Sequence, residues 1–513
     1  MELPIDSLLP EICATLAAKG QCVLQAPPGA GKTTRVPLAL LDQVQGRILM
    51  LEPRRLAARA AAERMAETLG EKVGQRVGYR IRGEAKVNRD TRIEVVTEGI
   101  LTRMLQTDPS LEGIGAVIFD EFHERSLNAD LGLALVLEVR AALRPELQLI
   151  VMSATLDAAP VAALMGDAPM LTAEGRAFPV ETRWLDRPVP KGIRLPQAVA
   201  DQVLTVLAET EGGVLVFLPG EGEIRQTAAA LAGRLPADTK LHTLYGAMPF
   251  TDQRAAIAPA PSGRKLVLAT AIAETSLTIT DIRVVVDAGR ARRARYDPGS
   301  GMTRLVTEPV SRAEAEQRRG RAGRVAEGLC YRMWTKGQEG ALPAFAPPEI
   351  ETADLTGLAL ELAVWGAGTG ADLAFLTPPP AGALAEARAL LQGLGALDGA
   401  GRITKQGRAM AALPLHPRLA HMLLAAGKGA APLAALLEAR DPLSGAPADL
   451  SLRLAALKDP RAYAESHPWP ARRDALERIR TEAKRLARLA PADAGLTAAE
   501  MAALAYPDRV GLR

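Results

Sequence analysis

The stretch Ala26–Thr34 reads APPGAGKTT and lies between the apolar run CVLQA and the segment TTRVPLALL. Small residues allow successive backbone N–H groups to turn inward around phosphate oxygens, while a lysine reaches the β- and γ-phosphates and a hydroxyl binds Mg²⁺. Lys32 and Thr33 stand at those two places, with Pro28, Gly29, Ala30, Gly31 and Thr34 completing the loop. The apolar run predicts a strand, and TTRVPLALL predicts a helix whose N-terminus favours an anion. Ala26 replaces the usual first glycine, and its methyl group is small enough to be tolerated. A Gly-rich loop alone also suits a tight turn, so a second feature has to decide.

That feature is DEFH, Asp120–His123, at the end of the apolar run AVIF. Two carboxylates at a strand end are what a Mg²⁺-nucleotide site requires: Asp120 to hold the metal, and Glu121 to take a proton from the attacking water. An acidic pair elsewhere is most often a solvated loop, but downstream of a phosphate loop it implies nucleoside triphosphate hydrolysis. The expected metal set is Thr33, Asp120 and Glu121.

At 513 residues the chain has material for three or four domains. A net charge of +3 is too small to declare a nucleic-acid partner by itself. Local charge says more: between Arg283 and Arg324 there are eleven arginines, no lysines and five acids. Arginine suits bidentate phosphate contacts, although a solvated basic face has the same composition. Cys13, Cys22 and Cys330 sit in apolar runs at spacings that fit neither a disulfide framework nor a zinc site. The acidic N-terminus and the lack of a long uninterrupted apolar stretch predict a soluble, cytoplasmic protein with no membrane partner. Five scattered histidines offer no metal cluster.

Strands and helices alternate up to about Trp334. The candidate strands CVLQA, GRILMLEP, RIEVVT, AVIFDE and LQLIVMSA are followed by VLVFLPG, KLHTLYG, KLVLAT and RVVVDAG. Alternation of this kind means parallel sheets covered on both faces, with functional loops at the carboxyl ends of strands. Two such sheets in tandem predict two lobes and a cleft. The boundary is expected near Leu171, and after Trp334 the pattern turns to Ala/Leu-rich helix, with one short two-stranded candidate at GALDGAGRIT. QRRGRAGR, Gln317–Arg324, is expected to open a helix, with Arg321 and Arg324 three apart on one face and able to reach a γ-phosphate from the second lobe.

The ordered set APPGAGKTT, LEPRR, TEG, DEFH, SAT, VFLPG, AETSLTI and QRRGRAGR resembles the DEAH-box branch of superfamily-two helicases, and DEFHERSL resembles the bacterial HrpB-type members. The resemblance implies an α/β fold of two tandem RecA-like parallel-sheet lobes, residues 1–171 and 172–338, followed by a winged-helix domain, 339–404, and a ratchet-like helical bundle, 405–513. It implies an ATP-dependent helicase moving 3′-to-5′ on single-stranded RNA or DNA, RNA first, with Mg²⁺, as a monomer, and with a protein activator as an optional partner. By position, Glu121 and Gln317 would orient the lytic water, and Arg321 and Arg324 would be arginine fingers. Arg64 and Arg290 would hold the base. His123 with Ser153, Ala154 and Thr155 would relay nucleotide state. Arg54, Arg55, Arg82, Thr97, Glu98, Gly99, Thr275 and Ser276 would hold the sugar-phosphate backbone, which positions without reading sequence. ARYDPGSGMTRLVTE would form the family's β-hairpin, with Asp297–Gly301 as the turn and Arg292, Arg293, Arg295 and Arg304 contacting phosphates.

Some positions depart from the family: Phe122, Ala271, Thr280, Asp281, and Arg290 where relatives place a stacking phenylalanine. The chain ends at YPDRVGLR, where HrpB-type relatives continue, which implies a fragment or a short member. Three functional classes stay open: a translocase that unwinds or remodels, a regulatory P-loop NTPase without helicase activity, and a nucleic-acid scaffold with a dead site. The second lobe with its own arginine motif argues against the second class, and the intact Lys32, Asp120, Glu121, Gln317 and Arg321 against the third.

Overall fold

The computed structural model describes residues 3–154, 158–174, 178–274, 279, 281–297 and 299–510. Thr155, Thr275, Ser276, Thr280 and Pro298 lie outside them. The chain forms two compact units, the first running to Ala353 and including Leu373–Pro378, the second comprising Asp354–Asp372 and the chain from Pro379 onward.

The first unit carries two sheets. Strands β1 (Gln21–Gln25), β2 (Arg47–Glu52), β3 (Val77–Ile81), β4 (Glu84–Lys86), β5 (Ile93–Thr97), β6 (Ile114–Phe119), β7 (Gln148–Ser153) and β8 (Met170–Thr172) form the first. Their spatial order is β4-β3-β5-β2-β6-β7-β1-β8, parallel except for β4. The second sheet contains β9 (Val180–Trp184), β10 (Gly213–Phe217), β11 (Thr239–Leu244), β12 (Arg264–Ala269), β13 (Ile282–Asp287) and β16 (Gly328–Arg332). All its pairings are parallel, in the order β11-β12-β10-β13-β16-β9. Ile48–Leu51, Val117–Phe119 and Val214–Phe217 are buried throughout, which is why these strands read as continuous apolar runs. These are the two RecA-like lobes. In the first, the phosphate loop leaves the carboxyl end of β1, where open α/β sheets bind ligands.

β14 (Arg290–Asp297) and β15 (Met302–Pro309) make an isolated antiparallel hairpin, paired Asp297 to Met302 at its tip. Sequence reading missed β3, β4, β8, β9 and β16. Each is short, three to five residues.

The second unit is helical apart from isolated bridges Leu397–Ile403 and Leu443–Ala471. The first bridge falls at the expected GALDGAGRIT pair. Pro417–Glu438 is apolar and long enough to cross a membrane by composition, but 67% of its window is buried in the fold, and the 3₁₀ turn Gly427–Ala430 divides it. His416 caps the helix Pro417–Ala426 and lies 3.1 Å from Asp354, whose carboxyl it helps hold down at about 2 despite burial.

Candidate nucleotide site

The loop after β1 runs straight into helix Lys32–Ala39, whose N-cap is Gly31. Gly29 and Gly31 have φ of +87° and +98°, a region that L side chains rarely adopt. A Cβ on Gly31 would also lie 2.7 Å from Leu3 Cδ1, because the N-terminal segment backs the loop and Ile5 N donates to the Ala30 carbonyl at 3.1 Å.

Lys32 is 3% exposed, and its Nζ lies 3.3 Å from Glu121 Oε2. Burial works against the ammonium, but Glu121 and Asp120 together hold its pKa above the ordinary lysine value. The same pairing keeps Glu121 below the usual carboxylate range in spite of its own burial. Asp120 moves the other way, raised by burial and by the neighbouring Glu121. Thr33 Oγ1 donates to Asp120 Oδ2 at 2.5 Å, so the hydroxyl and the carboxylate already converge on one point. Mg²⁺ is bound through one or two carboxylates, a hydroxyl and substrate phosphates rather than by a full protein cage. The donor set fits, and no group of three or more metal-ligating side chains competes for the ion among the described residues.

Glu121 adopts φ +49° and ψ +34°, a left-handed conformation that turns the chain sharply after β6. The His123 side chain, 7% exposed, lies 3.6 Å from Glu121 through Nδ1, which also accepts from Ala154 N at 3.3 Å. Burial depresses its pKa, keeping the ring neutral. His123 thus ties the DEFH turn to the SAT segment, where Ser153 is also buried.

QRRGRAGR closes a helix instead of opening one. The helix is Arg312–Arg319, so Gln317 is its last-turn residue, while Arg321 and Arg324 lie in the turn beyond. The expected common helical face does not exist; the reason is local, since Gly320 ends the helix and the Ser311–Glu314 capping box fixes its start. The turn still brings both arginines to the first lobe. Arg324 lies 3.8 Å from the Cβ position of Gly29, and the charge of Glu121 acts on both guanidiniums. Burial and Arg324 depress Arg321 strongly, and burial brings Arg324 down to about 10. Two cations facing a phosphate loop, Arg321 buried and Arg324 partly buried, are suited to hold an anion.

Other expected residues are more dispersed. Arg64 is exposed and pairs with Glu67 at 2.9 Å, and Arg290 is exposed at the start of β14. Arg55, Arg82 and Gly99 are exposed, Thr97 caps the helix Glu98–Thr107, and Glu98 is buried, bonded to Ser126. The hairpin arginines are spoken for: Arg292 pairs with Glu223, Arg293 with Glu308 and Glu314, Arg295 with Glu308, and Arg304 with Asp297. The strip expected to grip phosphates is neutralised within the fold. Beside these paired arginines the hairpin also exposes three large apolar side chains, Met302, Leu305 and Val306.

Sequence reading missed three participants. Glu52 of LEPRR is fully buried beside Asp120. Arg318 is fully buried, 2.5 Å from Glu274 and 2.8 Å from Asp287, with its guanidinium over the Phe217 ring. It stands beside the fingers in QRRGRAGR, and only its burial between two acids marks it as structural. Arg125, at φ +49°, bonds Asp130 and Thr377, while its carbonyl accepts from Glu349 N and Glu349 in turn accepts from Leu127 N.

Three family models match in chain order: DEAD/DEAH box helicase over residues 10–164, helicase conserved C-terminal domain over 197–326, and helicase associated domain (HA2), winged-helix, over 387–415. The chain is 48% identical over 444 residues to the ATP-dependent RNA helicase HrpB of Escherichia coli (strain K12), covering 85% of this chain and 54% of that protein. The chain belongs to the DEAD/DEAH-box helicase family. This DEAD/DEAH-box chain is also 35% identical to the ATP-dependent RNA helicase HrpA of Escherichia coli (strain K12), over 83% of itself and 34% of that protein. The crystal structure of Escherichia coli DEAH/RHA helicase HrpB superposes with a TM-score of 0.88 at 45% identity, covering 99% of this chain and 63% of that one. The chain spans about half the length of the first of these curated relatives.

Proposed function

We propose that this chain hydrolyses Mg²⁺-ATP between its two RecA-like lobes and uses the cycle to move 3′-to-5′ along single-stranded RNA, separating or remodelling paired strands. The observation that carries the proposal is the approach of Arg321 and Arg324, from the second sheet's side, to Glu121 and the phosphate loop of the first. A site completed from two lobes makes chemistry conditional on their closure, which is what a motor needs and a simple switch does not.

In that site Lys32 and the loop amides would bind the β- and γ-phosphates, and Thr33 and Asp120 would hold Mg²⁺. The ion would neutralise charge developing on the phosphate oxygens. Glu121 accepts hydrogen from the attacking water, with Gln317 as the second orienting group. The nucleotide would take over Lys32 and so free Glu121 from its present ion pair. Arg321 and Arg324 answer the charge that builds on the equatorial oxygens. Arg55, Arg82, Thr97–Gly99 and the AETSLTI segment are the proposed contacts to the strand backbone. Relatives bearing the name ATP-dependent RNA helicase support RNA over DNA.

The test is hydrolysis with and without single-stranded RNA or DNA at equal salt, since phosphate binding falls steeply with ionic strength. Stimulation by RNA supports the proposal. Hydrolysis that no strand stimulates would favour a regulatory NTPase, and no hydrolysis would favour a scaffold.

A further inference from the structure

Arg54 and Arg55 are neighbours in LEPRR, yet only Arg55 is exposed. Arg54, the N-cap of helix Arg55–Thr68, has an extended backbone that turns its side chain inward. Its Nη2 lies 3.1 Å from Glu124 Oε1, in the turn after DEFH, and its Nη1 donates at 2.7 Å to the carbonyl of Ala271. Glu124 belongs to the first lobe and Ala271 to the second, immediately after β12. One guanidinium therefore spans the two lobes.

The far attachment is a single 3₁₀ turn, Ala271–Ala273. The residue after that turn, Glu274, accepts from Arg321 Nε through its carbonyl at 2.8 Å and holds Arg318 through its carboxylate. The same short turn is thus gripped at one end by an arginine of the first lobe and at the other by a proposed finger. Moving Ala271 away from Arg54 would carry Arg321 away from Glu121. The Arg54 side chain is 24% exposed, and both its bonds are charge-assisted, so they are less screened than a surface pair.

We propose that Arg54 is an interlobe latch, a positioning residue that sets where Arg321 sits, rather than a contact to the nucleic-acid strand. The inference rests on the hydrolysis reading above, and its test separates the two. Nucleotide turnover is measured without nucleic acid for the wild-type chain, Arg54→Ala, Arg54→Lys and Glu124→Gln. Arg54→Ala should lower basal kcat by roughly 2- to 30-fold, the span of ordinary coupling residues, with KM little changed. Arg54→Lys should not restore it, because an ammonium lacks the planar fork that meets two acceptors at once. Glu124→Gln should shift kcat in the same direction.

In parallel, dyes on Leu143→Cys of the first lobe and Ile193→Cys of the second, both exposed sites, report lobe separation with a non-hydrolysable Mg²⁺-nucleotide. The native cysteines are buried. Arg54→Ala should reduce the closed fraction whether or not the wild-type chain hydrolyses, so failure of the hydrolysis reading leaves the latch testable. An unchanged closed fraction with wild-type basal turnover would overturn the latch. If RNA affinity then also lost about one unit of salt dependence, Arg54 would be a phosphate contact after all.

Discussion

Thr33 Oγ1 and Asp120 Oδ2 meet at 2.5 Å although 87 residues separate them in the chain. The contact joins the N-terminus of the helix after the phosphate loop to the end of β6, two strands apart in the sheet. The ends of β1 and β6, on either side of β7, therefore place a hydroxyl and a carboxylate where one cation can take both.

Lys32→Ala and Glu121→Gln should both abolish turnover, by different routes. The first removes the phosphate-binding cation and leaves a buried carboxylate without its partner, so nucleotide affinity falls. The second should keep Mg²⁺-nucleotide bound while kcat drops about 10²- to 10⁴-fold, the usual worth of a positioned base. Equilibrium binding of a fluorescent nucleotide alongside turnover distinguishes them, and Glu121→Gln turning over within about threefold of wild type would remove Glu121 from that role.

Arg321→Ala or Arg324→Ala should lower kcat on the order of 10³-fold with modest change in nucleotide affinity, because their charge is used mainly in the transition state. A fall in affinity at unchanged kcat would reassign them to ground-state binding.

Glu98 gives a pH test of stability. Burial pushes its carboxyl up to about 7, against the Ser126 hydrogen bond that favours the charged form. Its folded value lies above its unfolded one, so the folded chain holds the extra proton between them. Stability is full below the unfolded value, declines as pH rises toward about 7, and stays lower above it, by about 3 kcal/mol. Denaturant midpoints should therefore fall between about pH 5 and about pH 8, and Glu98→Gln should remove that component of the slope.

Nucleotide choice should be broad. Arg64 and Arg290 are both exposed, and guanidinium planes can stack on any base without reading its edge. ATP, GTP, CTP and UTP should all be hydrolysed. A preference for ATP near a hundredfold in kcat/KM, about 2.7 kcal/mol, would require an edge-reading contact elsewhere.

Replacing Tyr296 to Thr303 by a short Gly-Ser link should spare RNA-stimulated hydrolysis and abolish unwinding of a duplex with a 3′ overhang. Because Arg292, Arg293, Arg295 and Arg304 are each paired with a carboxylate, its work should fall to exposed Met302, Leu305 and Val306. Leu305→Ser with Val306→Ser should then weaken unwinding, while raised salt should not mimic the effect. Unwinding at the wild-type rate in the link variant would leave the segment an ordinary surface hairpin.

The two sheets and the nucleotide loop were legible in the sequence because their signals are local: apolar runs long enough to be fully buried, a Gly-rich turn, and acids at a strand end. β9 and β16 were not: the half-polar β9 becomes a strand only by completing the sheet edge, and the five residues of β16 only by lying between β13 and β9. Arg318 and Arg54 could not be told from their neighbours Arg321 and Arg55 by spacing. Which arginine turns inward depends on carboxylates far away in the chain, Glu274 and Asp287 for one and Glu124 for the other. The hairpin arginines failed for the same reason, because net charge in a segment says nothing of its partners across the strand.

The short return of Leu373–Pro378 to the first unit bears on how the chain is made. Arg125 follows DEFH by two residues, yet one of its hydrogen bonds is to Thr377, some 250 positions later. A nascent chain that has emerged only as far as Ala353 holds both sheets, both fingers and the phosphate loop, and still lacks that bond. During synthesis the turn behind Glu121 cannot be completed until the ribosome has delivered Thr377, in a segment that contributes nothing to either sheet.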